Sequence, residues 1–220
     1  MSNPKSKRSE SKPKISSDNI LFVVSAPSGT GKTTVVEEVI SKDRMLAKTI
    51  SHTTRSPRPN EIDGKDYYFV NEKIFRRMIK KGAFVEWASV YGQLYGTSYK
   101  TVEDILKSGK DVILVIEVQG ARSIKRLCKN VVFILILPPD SHELSRRMVN
   151  RPGSKLESVA QRLAMAQEEA RQMRWYDYLI VNHELGNTVD QLKVVIQAER
   201  LRLKRQHKNL SNFISQTLST

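Results

Sequence analysis

Ala26-Pro27-Ser28-Gly29-Thr30-Gly31-Lys32-Thr33 is the stretch on which the fold turns. An apolar run, Ile20 to Val24, precedes it, and a helical pattern, Thr34 to Ile40, follows it. Strand, glycine-bearing loop ending in Lys-Thr, then helix is the context that a phosphate-binding P-loop requires. Its backbone N–H groups and the helix N-terminus form a concave anion site. Lys32 can reach the outer phosphates of a nucleotide, and the Thr33 hydroxyl can join the shell of Mg²⁺. The pattern G-x-x-x-x-G-K-[ST] is met except at its first place, where Ala26 stands for glycine. Alanine is tolerable there if φ is negative. An ordinary Gly-rich turn capping a helix is the bland alternative, and the flanking strand and helix argue against it.

The 220 residues suffice for one domain with a large core and small inserted lobes. Hydrophobic residues at 39% and charged residues at 27% fit a soluble globular chain, and no apolar run approaches a membrane span. Met1 to Lys14 is polar and basic without an apolar h-region, so a secretory signal is not expected. The single cysteine, Cys128, cannot form an internal disulfide, which fits a reducing cytoplasm. The net charge of +14 raises the question of nucleic acid. Its distribution weakens that reading. Lys5, Lys7, Arg8, Lys12 and Lys14 face one acid, Glu10, near the start, and Arg200, Arg202, Lys204, Arg205 and Lys208 face Glu199 near the end. With no recognition motif or stacking aromatic cluster, no specific nucleic-acid partner is expected.

Five β-rich apolar runs are candidates for a buried parallel sheet: Ile20–Val24, Lys48–Ser51, Val112–Glu117, Val131–Leu137 and Tyr178–Val181. Helical patterns alternate with them at Thr33–Ser41, Asn71–Lys81 and Tyr99–Ser108, with Gly82 and Gly109 as stops after the last two. Asp140-Ser141-His142-Glu143 and Ser154-Lys155-Leu156-Glu157 read as capping boxes, and a last helix is expected over about Val189 to His207. The alternation predicts an α/β fold, a three-layer P-loop core with a parallel sheet. The expected layout is a disordered basic tail over 1–18 and one domain over 19–208, with a C-terminal tail over 209–220. Within the domain, 19–52, 98–137 and 174–208 form the core. Residues 53–97 break the alternation and read as a small, mostly β lobe, and 138–173 as a helical lid.

After the second expected strand comes Ser51-His52-Thr53-Thr54-Arg55-Ser56-Pro57-Arg58. Arg55 and Arg58, stiffened by Pro57, suit bidentate phosphate recognition. Gly64-Lys65-Asp66-Tyr67-Tyr68-Phe69, Phe84-Val85-Glu86-Trp87-Ala88, Tyr95-Gly96-Thr97 and Val118-Gln119-Gly120 follow in order. Together with the P-loop, this series resembles guanylate kinase over about Ile20 to Arg205. The resemblance implies transfer of the γ-phosphoryl of ATP, with Mg²⁺, to GMP and also dGMP. It implies that Arg55, Arg58, Tyr67 and Tyr95 hold the GMP phosphate, and that Glu86, Ser51 and Thr97 read guanine. A carboxylate accepts from N1–H and the exocyclic amine of guanine, whereas adenine offers an unprotonated N1 there. A buried carboxylate left unpaired penalises AMP.

The resemblance also implies that ATP lies on residues 26–34, Thr34 included, and near Asn182, which reads equally well as a strand-end turn residue. Arg147, Arg151 and Arg162 match lid arginines that, with Lys32, neutralise charge on the transferred phosphoryl group. Three departures stand out. The family commonly has D-I-D or E-I-D where this chain has Val115-Ile116-Glu117, so a role toward Mg²⁺ through water and toward the guanine amine passes only to Glu117. Pro152 stands after Arg151, where the family usually has glycine. Two other readings are a non-catalytic guanylate kinase-like interaction module and a P-loop kinase for another small phosphate acceptor. The intact Gly31-Lys32-Thr33 argues against the first, and Glu86 with Thr97 against the second. A cytoplasmic protein is expected, with ATP and GMP as its partners, no membrane, and homo-oligomerisation left open.

Overall fold

A computed structural model describes residues 19–27, 30–127, 130–149 and 173–217. The basic tail over 1–18, Ser28, Gly29, Cys128, Arg151, Pro152, Arg162 and the second capping box lie outside the described residues. The five expected core strands are present as β1 (Leu21–Ser25), β2 (Leu46–Lys48), β7 (Asp111–Val115), β8 (Val131–Leu137) and β9 (Tyr178–Val181). They form one parallel sheet in the order β2-β7-β1-β8-β9. β1 sits in the middle, buried along its whole length, as suits a sheet covered on both faces.

Side-chain alternation along β1 divides the core. Phe22 and Val24 face one layer with Val35, Val36 and Val39 of α1 (Lys32–Ser41) and Val189, Leu192 and Ile196 of α6 (Leu185–Leu201). Leu21 and Val23 face the other, with Val102 of α3 (Tyr99–Lys107) and Ala121 and Ile124 of α4 (Val118–Leu127). The result is the three-layer α/β architecture expected from the sequence. Among the described residues, no helix is long and apolar enough to cross a membrane.

The second sheet has the order β4-β3-β6-β5, built from β3 (His52–Thr53), β4 (Tyr68–Phe69), β5 (Phe84–Val90) and β6 (Gln93–Ser98). Helix α2 (Glu72–Lys80) lays Phe75 on Phe84 and Leu94 beneath it. Asn71 caps α2 through Ile74 N–H, Ser98 caps α3 through Thr101 N–H, and Gly82 and Gly109 follow the two helices at positive φ. Asp140 accepts from Glu143 N–H at the start of α5 (Ser141–Val149), as the first capping box predicts.

Three boundaries differ from expectation. The second core strand is Leu46–Lys48, not Lys48–Ser51, because the chain leaves the core sheet here: Ser51 O already accepts from Tyr68 N–H of the small sheet. β7 stops at Val115, which leaves Glu117 in the turn at the carboxyl edge of the sheet, where α/β folds bind ligands. The last expected helix ends at Leu201, not His207. A 3₁₀ turn (Leu203–Arg205) and helix α7 (His207–Thr217) follow, so the tail expected over 209–220 is helical through Thr217. The cause is Glu199, a buried carboxylate that accepts from the Tyr178 hydroxyl and pairs with Arg202 and Arg205 at 3.3 Å each. Closing that cluster turns the chain at Arg202, whose ψ of 129° is extended. Arg200 pairs with Asp43 and Asp111, so much of the terminal basic run is used inside the fold.

Candidate active site

Where the loop after β1 enters α1, side chains from two other segments brace it. Gly31, at φ +86°, makes the left-handed turn into α1 that a side chain would strain. Ala26 is buried and is not among the residues at positive φ, so the condition for replacing glycine there is met. The Thr30 carbonyl accepts from Asn182 Nδ2 at 2.7 Å and from Arg147 at 3.3 Å. Asn182 is buried, and its own oxygen accepts from the Thr188 hydroxyl at 2.8 Å. Its amide is thus engaged with the loop backbone and α6. Arg147 also donates to Asn182 O at 3.2 Å and to Glu143 at 2.6 Å. Arg146 and Arg147 together pull the Glu143 carboxyl down to about 2.

Lys32, the first residue of α1, places Nζ 2.6 Å from Glu117 Oε1 and 3.3 Å from Ala26 O. Thr33 lines a cavity of about 240 Å³ together with Ser51, Arg58 and Tyr67. Val115, at the place where the resemblance leads one to expect a first acid, lines the same cavity with an apolar side chain.

The residues expected to hold the acceptor fall into two groups. In the first, Arg55 is clamped by a carboxylate that sequence reading missed: NH1 and NH2 each donate to Glu61 at 2.8 Å. Glu61 also accepts the Arg58 N–H at 2.7 Å, and its pKa is lowered, chiefly by the Arg55 hydrogen bonds. Tyr67 and Phe69 flank the guanidinium at 5.4 and 5.7 Å, and Tyr95 approaches Tyr67 edge-on at 6.0 Å. Arg55 Nε is buried with no hydrogen-bond partner among the described residues, an open donor at the place expected for phosphate. The acid three residues after Arg58 was the available signal for Glu61. Lys48 and Asp66 also line the cavity and were not foreseen; Lys48 pairs with Glu37 at 2.7 Å.

In the second group, Ser51 and Thr97 hydroxyls meet at 3.0 Å, and Thr97 N–H donates to Glu86 Oε1 at 2.9 Å. A register shift between Phe84 and Glu86 marks an irregularity in β5 just where Glu86 turns inward. Burial pushes the Glu86 carboxyl up to about 7, against the opposing pull of its Thr97 hydrogen bonds. The structure therefore brings together Lys32, Thr33 and Glu117 on one side and Ser51, Glu86 and Thr97 on the other. Arg55, Arg58, Tyr67 and Tyr95 gather around Glu61.

The guanylate kinase family model matches residues 19–199. The guanylate kinase of Geobacter metallireducens is 45% identical over 188 residues, covering 86% of this chain and 93% of that protein. That of Salmonella typhimurium is 43% identical over 202 residues, covering 90% and 97%. The crystal structure of guanylate kinase from Anaplasma phagocytophilum superposes with a TM-score of 0.71 at 34% identity, over 85% of this chain and 89% of that one. A three-layer core, a braced phosphate loop and matches of this extent agree: the chain belongs to the guanylate kinase family.

Proposed function

We infer that this chain is an ATP:GMP phosphotransferase that forms ADP and GDP. The observation that carries the reading is the buried Glu86 carboxylate, hydrogen-bonded to Thr97 beside Ser51, in a chain whose P-loop cation Lys32 serves the donor. Guanine presents N1–H and an amine to such an anion. Adenine presents a lone pair and leaves it unpaired.

The roles follow from charge and placement. A phosphate oxygen of GMP attacks the γ-phosphorus, and the bond from that phosphorus to the β,γ-bridging oxygen breaks as ADP leaves. Lys32 and Arg147 offset charge on the moving group, with Arg151 and Arg162 assigned the same task from sequence. Arg55 and Arg58, with the Tyr67 and Tyr95 hydroxyls, hold the acceptor phosphate in line. Asn182 serves the ATP site by fixing the Thr30 carbonyl. Mg²⁺ commonly sits on one or two protein oxygens plus substrate phosphates, and the Thr33 hydroxyl and Glu117 carboxylate suit it. When bound, the ion neutralises phosphate charge. The assigned contacts go to base and phosphate, which supports dGMP as a second acceptor. A cytoplasmic location is supported by the lone cysteine.

Coupled measurement of ADP formation with GMP, dGMP, AMP, UMP and TMP tests the reading. Turnover is expected with GMP and dGMP, and comparable turnover on AMP would refute base reading by Glu86.

A further inference from the structure

Helix α4 begins immediately after Glu117, and its third residue is Gly120, which is buried. Glycine is a poor choice inside a helix, where alanine is favoured. The backbone there is helical and does not require it. The reason for it lies across the gap to β5. A β-carbon on Gly120 would stand 2.4 Å from Oε2 of Glu86, a distance at which something must shift, and 3.1 Å from its Cδ, tighter than ordinary van der Waals contact. Glu86 is fixed on its other side, because Oε1 accepts the Thr97 N–H at 2.9 Å. The carboxylate thus lies against the first turn of α4, where the helix dipole favours negative charge.

We propose that Gly120 is a positioning residue for guanine selectivity: its missing side chain is the space in which the Glu86 carboxylate sits. A methyl group at 120 pushes Oε2 away, and the shift carries the whole carboxylate off the Thr97 N–H and out of line with a guanine edge. The inference rests on Glu86 as the guanine reader. It also gives the Val118-Gln119-Gly120 segment a physical task, three residues beyond the partner of Lys32.

The test is Gly120→Ala, Glu86→Ala and the double variant, measured for GMP and AMP kinetics, GMP binding by calorimetry, and thermal melting. In Gly120→Ala the KM for GMP is expected to rise about ten- to a hundredfold, the effect of misplacing a hydrogen-bonded charge. The KM for ATP and kcat at saturating GMP should stay near wild type, GMP-over-AMP preference should fall, and the melting temperature should hold or rise. In the Glu86→Ala background, Gly120→Ala should add no further loss, because the carboxylate it displaces is gone. A wild-type KM for GMP in Gly120→Ala, with selectivity lost in Glu86→Ala, overturns the inference and leaves the guanine reading standing. Additive losses in the double variant also overturn it, since Gly120 would then act through something other than Glu86. Unchanged selectivity in Glu86→Ala overturns both. If Gly120→Ala melts early, the double variant decides: a fold equally weakened there again excludes the carboxylate as the cause.

Discussion

At the donor end, Lys32 lies 2.6 Å from the Glu117 carboxylate in a pair still partly open to solvent, with 14% and 30% of the two side chains exposed. At the acceptor end, the Glu86 carboxylate is buried and takes its hydrogen bonds from Thr97, with no cation paired to it among the described residues. Arg55, which we assign to the acceptor phosphate, resembles the donor end: its charge is met by Glu61. Cations meant for phosphate are therefore compensated before substrate arrives, and incoming phosphate must displace or share those partners. The anion meant for the base is left uncompensated, and its cost shows as a raised pKa. A ligand offering two N–H donors relieves that cost, so desolvation becomes selectivity. Affinity for phosphate is common to every nucleotide; the base pocket is where discrimination is built.

The largest effect should come from the donor end. Lys32→Ala removes a cation from the γ-phosphoryl and should lower kcat/KM about 10²- to 10³-fold, as loss of a preorganised charge does. The fold should persist, since Lys32 is not a core residue, and circular dichroism with steady-state assay checks both. Wild-type kcat in this variant would refute the donor assignment. Next comes Glu86→Gln, which preserves shape but turns a donor toward the donors of guanine. A rise of about ten- to a hundredfold in the KM for GMP and a loss of preference over AMP are expected, read from paired GMP and AMP kinetics.

The pH profile sharpens the contrast. Glu86 has its folded pKa pushed from 4.5 up to about 7, so the folded free protein holds that proton where the unfolded chain has lost it. Its contribution to stability therefore falls as pH rises from about 4.5 to 7 and levels above that window. GMP requires the charged form, so affinity for GMP should run the other way, weakening as pH falls through about 7. GMP phosphate also ionises near about pH 6. The measurement is thus the difference between wild type and Glu86→Gln, by calorimetry across pH 5.5 to 8.5 in about half-unit steps. Identical profiles would show that Glu86 does not titrate against GMP.

What the sequence made legible follows the same division. β8 is observed over the very residues expected, Val131–Leu137, because a strand buried on both faces reads as an unbroken apolar run. The P-loop was legible because strand, loop and helix are contiguous. The resemblance supplied the residues assigned to GMP, Glu86 among them, but not Glu61, the carboxylate that engages Arg55. Glu61 lies among Pro57, Pro59 and Asn60 and reads as surface loop; only the loop's return onto Arg55 gives it a role. Lys48–Ser51 reads as strand because Thr49 and Ile50 are β-branched, and its end is decided by pairing with Tyr68 elsewhere. The sequence carries the C-terminal helix too far because Leu201 and Leu203 continue an apolar rhythm through Arg202, where Glu199, held by Tyr178 of β9, draws in Arg202 and Arg205 and decides the turn. Side-chain and backbone pairings that no apolar periodicity encodes were the illegible part.

The smallest expected effect tests the compensated end directly. If Glu117 occupies Lys32 before nucleotide binds, Glu117→Gln frees the ammonium, and ATP should bind more tightly when no Mg²⁺ is present. The gain is bounded by the worth of a partly exposed ion pair, about 1 kcal/mol or less, which is about fivefold in Kd. With Mg²⁺ added, the gain should vanish, because the variant then lacks a carboxylate suited to the shell of the ion. Calorimetric titration of ATP, with EDTA and with Mg²⁺, reads both arms. Weaker ATP binding in EDTA would mean that Glu117 aligns Lys32 for phosphate instead of competing with it. The donor site would then be preorganised like the base pocket, and the contrast between the two ends would fall.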